Sequence, residues 1–78
     1  MEYDFFDWLT LVRGYSEKYA LELGHRVDKF YEWDRANRIE DVDLNRVICS
    51  PEFQELRPDL QTRYIRAYRL YCEFAGMQ

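Results

Sequence analysis

The last third of the chain places large apolar side chains at the three- and four-residue intervals of an α-helix. From about Pro58 to Ala75 they fall on two adjacent stripes, and Gly76 follows as a helix stop signal. Two stripes make a wide apolar arc, so we expect this helix to lie near the centre of the fold. The stripes hold Leu60, Tyr64, Ala67, Tyr71 and Phe74, and beside them Ile65, Tyr68, Cys72 and Ala75.

The rest of the chain also follows the helical period, and no segment alternates convincingly at the strand period. A first helix is expected from a cap at Asp4 to about Arg13, and a long amphipathic helix from about Tyr19 to Asn37. Asp43 and Ser50-Pro51-Glu52 each mark the start of a short helix. The sequence therefore predicts an all-α, single-domain helical bundle over residues 1–78, with three longer helices and one or two short ones.

Aromatic residues are abundant in this chain, whereas residues that carry catalysis are scarce. Seven Tyr, five Phe and two Trp stand beside one histidine and two cysteines. The single His25 excludes most zinc sites and cysteine–histidine nucleophile pairs, and Cys49 and Cys72 are expected to be buried free thiols. Rings supply core volume and contact surface. We therefore expect a non-enzymatic protein that needs no cofactor or metal and acts by contact.

Two patterns bear on the location of the protein. The longest apolar runs, such as Val47-Ile48-Cys49, are far shorter than the roughly 20 residues that cross a bilayer. The first residues include Glu2, Asp4 and Asp7 and do not form a basic region followed by an apolar stretch. A cytoplasmic protein with no membrane partner is the expectation.

Negative charge is concentrated in the first part of the chain, whose net charge is −4 overall. Residues 1–43 hold eleven acids and six bases, whereas residues 44–78 hold four acids and five bases. This distribution disfavours direct binding of nucleic acid and predicts a protein partner with a basic surface. The acidic candidates for that contact are Asp28, Glu32, Asp34, Glu40, Asp41 and Asp43.

The first helix is more apolar than one packing face requires. Its apolar side chains, Phe5, Phe6, Trp8, Leu9, Leu11 and Val12, cover more than half of the circumference. Either a small bundle wraps this helix on two sides, or part of it contacts a partner or a second copy of the chain. Phe6 and Trp8, together with Trp33 at the edge of the long helix's apolar arc, are the aromatic candidates for partner contact.

Three arginines, Arg63, Arg66 and Arg69, recur at three-residue intervals on the last helix, with tyrosines between them. Charge interleaved with rings is one pattern that binds single-stranded nucleic acid. Here the tyrosines belong to the apolar arc and the arginines to its outer edge. We therefore expect the arginines to pair with acids of the N-terminal half.

The segment from Asp41 to Glu52 resembles the calcium loop of the EF-hand family. Asp41, Asp43 and Asn45 match the short oxygen ligands, Val47 the carbonyl ligand, and Glu52 the closing bidentate carboxylate. The resemblance implies a degenerate calcium-binding module, although Arg46 stands where the family has glycine. The alternative is a capped turn followed by a helix that starts at Ser50-Pro51-Glu52.

In size, acidity and single-domain economy the chain resembles small phage-borne inhibitors, including anti-CRISPR proteins and DNA mimics. That resemblance implies an inhibitor or regulator of a nucleic-acid-handling complex. A homodimeric bacterial regulatory or assembly adaptor is the alternative within the binding class. Asp28 and Glu32 are one helical turn apart and could form a catalytic carboxylate pair, but on a polar helix face solvated acids are the expectation.

Overall fold

The computed structural model describes residues 3–34 and 42–76, and all regular structure in these two ranges is helical. Helix α1 (Phe5–Asp7) continues directly into a π-helical segment (Trp8–Val12). Then follow α2 (Glu17–Asp34), α3 (Leu44–Ile48), α4 (Pro51–Gln54) and α5 (Pro58–Gly76). The predicted all-α bundle of three longer and two short helices is confirmed. None of the helices within these ranges is both long and apolar enough to cross a bilayer.

Short polar side chains start the helices where the sequence predicted that they would. Asp4 accepts a hydrogen bond from the Asp7 amide at 2.7 Å, and Asp43 accepts one from the Asn45 amide at 2.9 Å. Ser50 accepts from the Phe53 amide at 3.3 Å, with Pro51 in the first position of α4. Each cap satisfies an amide that the first helical turn leaves without a carbonyl partner.

The π-helical segment re-aims the side chains of the first helix. Its wide turn is closed by the Arg13 amide, which donates to the Trp8 carbonyl at 3.1 Å. Trp8 and Leu9 point into the core, whereas Leu11 and Val12 lie on the surface. The chain then turns at Gly14, whose φ of +75° lies in the left-handed region that favours glycine.

Antiparallel packing of α2 against α5 organises the core into two clusters. In the first cluster, side chains from the N-terminal half of α2 meet the C-terminal half of α5 and the first helix. In the second, the C-terminal end of α2 meets α3, α4 and the N-terminal half of α5 around Phe30. The buried members of the first cluster are Trp8, Leu9, Ala20, Leu23, Val27, Ala67, Leu70 and Phe74; those of the second are Phe30, Val42, Val47 and Phe53.

Phe30 is the centre of the second cluster. Its fully buried ring stacks on Tyr68 at 5.2 Å between centroids and also contacts Phe53 and Tyr64. The Tyr68 hydroxyl donates to the Val42 carbonyl at 3.0 Å, so α5 holds the chain just before α3. This hydrogen bond joins residues that are 26 positions apart in the sequence.

The two cysteines correct part of the prediction. Cys49 and Cys72 are free thiols, as expected, but both are exposed and not buried. Cys72 lies on α5 beside the apolar arc, at a position that the neighbouring helices leave open to solvent.

The Tyr68 hydroxyl predicts a specific loss of stability at alkaline pH. Burial, followed by the neighbouring Cys72 thiol and the Asp43 and Asp34 carboxylates, raises the pKa of Tyr68 to about 12. An unfolded tyrosine titrates near pH 10, so the folded state keeps a proton that the unfolded state loses. The unfolding free energy should therefore fall as the pH rises from about 10 to about 12.

Tyr68→Phe should remove this part of the alkaline loss. At neutral pH the variant should cost about 1 kcal/mol, because the Val42 carbonyl loses its donor. Urea unfolding of both proteins at about pH 8 and about pH 11 checks the expectation, since titration of the other tyrosines is common to both. An equal loss of stability in the two proteins would contradict it.

Candidate functional site

Asp28 and Glu32 lie where the sequence placed them, on the exposed face of α2. Glu32 accepts a hydrogen bond from Lys29 at 3.2 Å, an exposed contact that contributes a few tenths of a kcal/mol. The side chain of Asp28 makes no ion pair or hydrogen bond with any residue in the described ranges. Both carboxylates are therefore accessible to a partner.

These two acids belong to a longer surface feature, which we call the outer stripe of α2. At 100° per residue its members fall within about 80° of arc, on the far side of the helix from the buried residues. Leu21 is 55% exposed in the middle of the carboxylates. The outer stripe consists of Glu17, Leu21, His25, Asp28 and Glu32, all exposed, with Lys18 and Lys29 along one edge.

Asp34 has a structural role, which corrects its assignment to a partner-binding surface. Its side chain is 0% exposed, although the residue as a whole is half-buried because its backbone reaches the surface. Arg46 donates to the two carboxylate oxygens at 2.8 and 3.1 Å, and the Asp43 amide donates at 3.4 Å. This bidentate ion pair ties the end of α2 to the start of α3.

Of the other acidic candidates, one caps a helix and two lie outside the residues that the structure describes. Asp43 is exposed, but its carboxylate caps α3 through the Asn45 amide. Glu40 and Asp41 lie outside the described residues. Among the described acids, Asp28 and Glu32 are thus the two predicted residues that the structure brings together on one free surface.

The three predicted aromatic contacts lie in or against the core, and for Trp8 this corrects the expectation that its ring is left over for a partner. Trp8 is 3% exposed and packs on Phe74 at 5.7 Å. Phe6 is half-buried against the first cluster. Trp33 is half-buried in the second cluster, 5.1 Å from Tyr64. The physical reason is the size of the bundle, which needs these rings to fill its interior.

The surplus apolar surface of the first helix is formed by other residues. Leu11 is 67% exposed and Val12 is 50% exposed, at the end of the π-helical segment. The sequence counted both within the apolar excess but did not single them out. Leu21 was also not identified as a candidate, although its position on α2, away from the stripe of Leu23, Val27 and Phe30, indicated that it is exposed.

A second surface feature is an open groove along α5, which we call the arginine groove; it reaches Arg13 in its larger part and α2 in its smaller part. Arg13, Arg66 and Arg69 line its larger part, a depression of about 560 Å³. Arg26, Arg63 and again Arg66 line a neighbouring depression of about 180 Å³. Two glutamates are present as well: Glu73 pairs with Arg13 at 2.7 Å, and Glu22 lies 3.8 Å from Arg26.

The contacts of the arginine ladder differ from the expected pairing with N-terminal acids. Arg66 Nε donates to the Tyr19 hydroxyl at 3.2 Å, and its Nη2 donates to the Tyr15 hydroxyl at 3.4 Å. Within residues 3–34 and 42–76, neither Arg63 nor Arg69 forms an ion pair. Arg66 is therefore positioned by neutral groups that do not compensate its charge.

Hydrogen bonds between arginine and tyrosine shift the pKa values of Arg66 and Tyr15. The hydrogen bond to Tyr19 raises the pKa of Arg66 above its ordinary value. The hydrogen bond from Arg13, together with the positive charges of Arg13 and Arg66, lowers the pKa of Tyr15, while burial opposes that change. The lowered pKa of Tyr15 reflects its two neighbouring guanidinium groups, whereas the raised pKa of Arg66 reflects its tyrosine acceptors.

The segment that resembles a calcium loop has a different geometry. Residues 44–48 form helix α3, which turns successive candidate ligands to different sides of its axis. The Val47 carbonyl already accepts from the Ser50 hydroxyl at 2.6 Å. In the described ranges, no group of three His, Cys, Asp or Glu side chains is arranged to hold a metal ion. The segment has the capped-helix geometry that was the alternative to the calcium loop.

Comparison with known proteins gives no relative from which a function could be transferred. No protein-family model matches the chain, and no curated protein and no solved structure is significantly similar to it. The surfaces described above are therefore the basis for the function proposed below.

The two acids Asp34 and Asp28 should respond differently to the same substitution. Asp34→Ala should lower the unfolding free energy by about 2 kcal/mol, because a bidentate ion pair and an amide contact are lost. Asp28→Ala, at an exposed position of the same helix, should change it by less than about 0.5 kcal/mol. Urea unfolding followed by circular dichroism measures both, and equal losses would contradict the separate roles.

Proposed function

We propose that the chain is a non-enzymatic binding protein that inhibits or regulates a nucleic-acid-handling complex by contacting a basic surface on it. The observation that carries this proposal is the outer stripe of α2, where Glu17, Asp28 and Glu32 surround an exposed leucine. This is the binding mode implied by the resemblance in size and acidity to phage-borne anti-CRISPR proteins and DNA mimics.

The outer stripe combines two contributions to binding. Its carboxylates attract a basic partner and speed the encounter, an effect that weakens as salt is added. Leu21 supplies apolar area at the centre, and burial of its exposed half contributes about 1 kcal/mol. The weak pair between Lys29 and Glu32 is easily exchanged for a contact with a partner's arginine.

The same surface argues for binding and against catalysis. A general acid or base is commonly tuned by burial or by a close neighbouring charge. Asp28 and Glu32 lie on an open helix face, where carboxylates stay solvated. Solvated carboxylates of this kind suit steering and recognition of a partner.

A second candidate function is a homodimeric regulatory or assembly adaptor. It is favoured by Leu11 and Val12, adjacent side chains that are 67% and 50% exposed at the end of the first helix. Two neighbouring apolar residues on a small protein are a plausible centre for a self-complementary contact.

Charge reversal on the outer stripe tests the first function. Tagged chain should capture a nucleic-acid-binding protein from a nuclease-treated bacterial lysate, and Asp28→Lys with Glu32→Lys should reduce its recovery by about tenfold or more. Glu52→Lys with Glu55→Lys is the control, because it makes the same change of charge at exposed positions of the second half. Mass spectrometry identifies the captured proteins.

The outcomes separate the candidates. Equal recovery with both pairs of substitutions would contradict a role for the outer stripe. If the tagged chain instead captures untagged copies of itself, and Leu11→Ser abolishes that capture, the result would support the homodimer. Circular dichroism of each variant verifies that the helices are retained.

A further inference from the structure

The arginine groove gives an acidic protein a strongly basic surface. Five arginines and two glutamates line its two depressions, which leaves an excess of three positive charges in a chain whose net charge is −4. Its larger part lies on α5 beside Arg13 and its smaller part lies between α5 and α2, whereas the outer stripe lies on the solvent side of α2. The two surfaces thus have opposite charge and different positions.

Arg66 is the organising residue of the groove, because it lines both depressions. Two tyrosine hydroxyls fix its guanidinium at 3.2 and 3.4 Å. Neutral acceptors orient the group without neutralising it, unlike a carboxylate partner. Its remaining N–H groups therefore form a preorganised donor for an incoming anion.

Other charges extend this site along α5. Arg63 and Arg69 flank Arg66 and form no ion pair with any residue of the described part of the chain. Arg13 adds a fourth guanidinium, held beside Tyr15 and paired with the exposed Glu73. The lining of α5 from Thr62 to Glu73 spans roughly 16 Å at the rise of an α-helix. That length accommodates about five residues of extended peptide.

The lining of the groove distinguishes between possible anions. Half-buried Ile65 is part of this lining and offers an aliphatic contact, whereas Leu70 is 5% exposed and belongs to the core. Tyr15 and Tyr19 pack edge to face against each other at 5.1 Å, and their hydroxyls are engaged by Arg66. Single-stranded nucleic acid binds through exposed rings on which bases stack, whereas an acidic peptide needs guanidinium groups and an apolar floor. The net charge also repels a long polyanion.

We propose that the arginine groove binds an acidic segment of a partner protein, with carboxylates on Arg63, Arg66 and Arg69 and an aliphatic side chain on Ile65. This contact is independent of the outer stripe, which takes a basic partner. A chain with both surfaces joins two partners of opposite charge or holds one partner at two places.

The test uses NMR shifts of the ¹⁵N-labelled chain, with a short peptide of repeating Glu-Glu-Leu as the probe. The peptide should shift amides around Arg13, in residues 19–26 and in residues 62–73. A Lys-Lys-Leu peptide should leave them in place. Arg69→Gln should weaken binding about fivefold, whereas Arg57→Gln, which removes one exposed charge outside the groove, should not.

Tyr19→Phe tests whether Arg66 is positioned by its hydroxyl acceptor. The variant keeps every charge of the groove but removes the acceptor of Arg66 Nε. Its affinity for the Glu-Glu-Leu peptide should therefore fall, whereas its affinity for inorganic anions should stay the same. Unchanged peptide affinity in both Arg69→Gln and Tyr19→Phe would overturn the proposal. So would stronger shifts of the same amides with a length-matched oligothymidylate, or a dimer in light scattering that Arg69→Gln dissociates.

Discussion

The packing of α2 against α5 is the contact on which the rest of the structure depends. Helix α2 contributes buried residues to both core clusters, whereas α5 contributes buried residues to the first and half-buried residues to the second, so the pair forms a continuous support along the molecule. The first helix covers one end of this pair, and α3 and α4 cover the other. A domain of this size buries a limited share of its surface, so large rings such as Phe30, Trp8 and Phe74 supply much of the contact.

This packing also determines which residues remain for function. Because the rings are buried or half-buried, the surfaces left for a partner are the charged faces of the two long helices and the exposed pair Leu11 and Val12. The outer stripe presents carboxylates around Leu21, and the arginine groove presents arginines around Arg66. The protein thus separates negative and positive surfaces by placing the carboxylates on α2 and most of the arginines on α5.

Features encoded locally were predictable from the sequence, whereas contacts between distant residues were not. The caps at Asp4, Asp43 and Ser50 depend on amides two or three residues away, so a sequence window contains all the information. The Arg46–Asp34 pair joins residues 12 positions apart, and the Arg66–Tyr19 contact joins residues 47 apart. Their geometry depends on how the helices pack, so the sequence assigned Asp34 to a surface and Arg66 to acidic partners.

The first helix shows how a local irregularity misleads a periodic pattern. A regular 3.6-residue period does not decide which apolar side chains of this helix face the core. The π-helical turn decides it by placing Trp8 inside and Leu11 and Val12 outside. Trp8 was therefore predicted as an apolar contact but assigned to a partner instead of the core. The same error would arise in any short helix that is apolar over more than half of its surface.

The central claim is that the aromatic residues build the core and that recognition belongs to the charged faces. Quenching of Trp8 fluorescence by acrylamide in a Trp33→Phe variant tests it most directly, since Trp8 is then the only tryptophan. With Trp8 3% exposed, the native protein should be quenched several-fold less than the urea-unfolded protein. Equal quenching in the two states would show that this ring is open to solvent and would contradict the account.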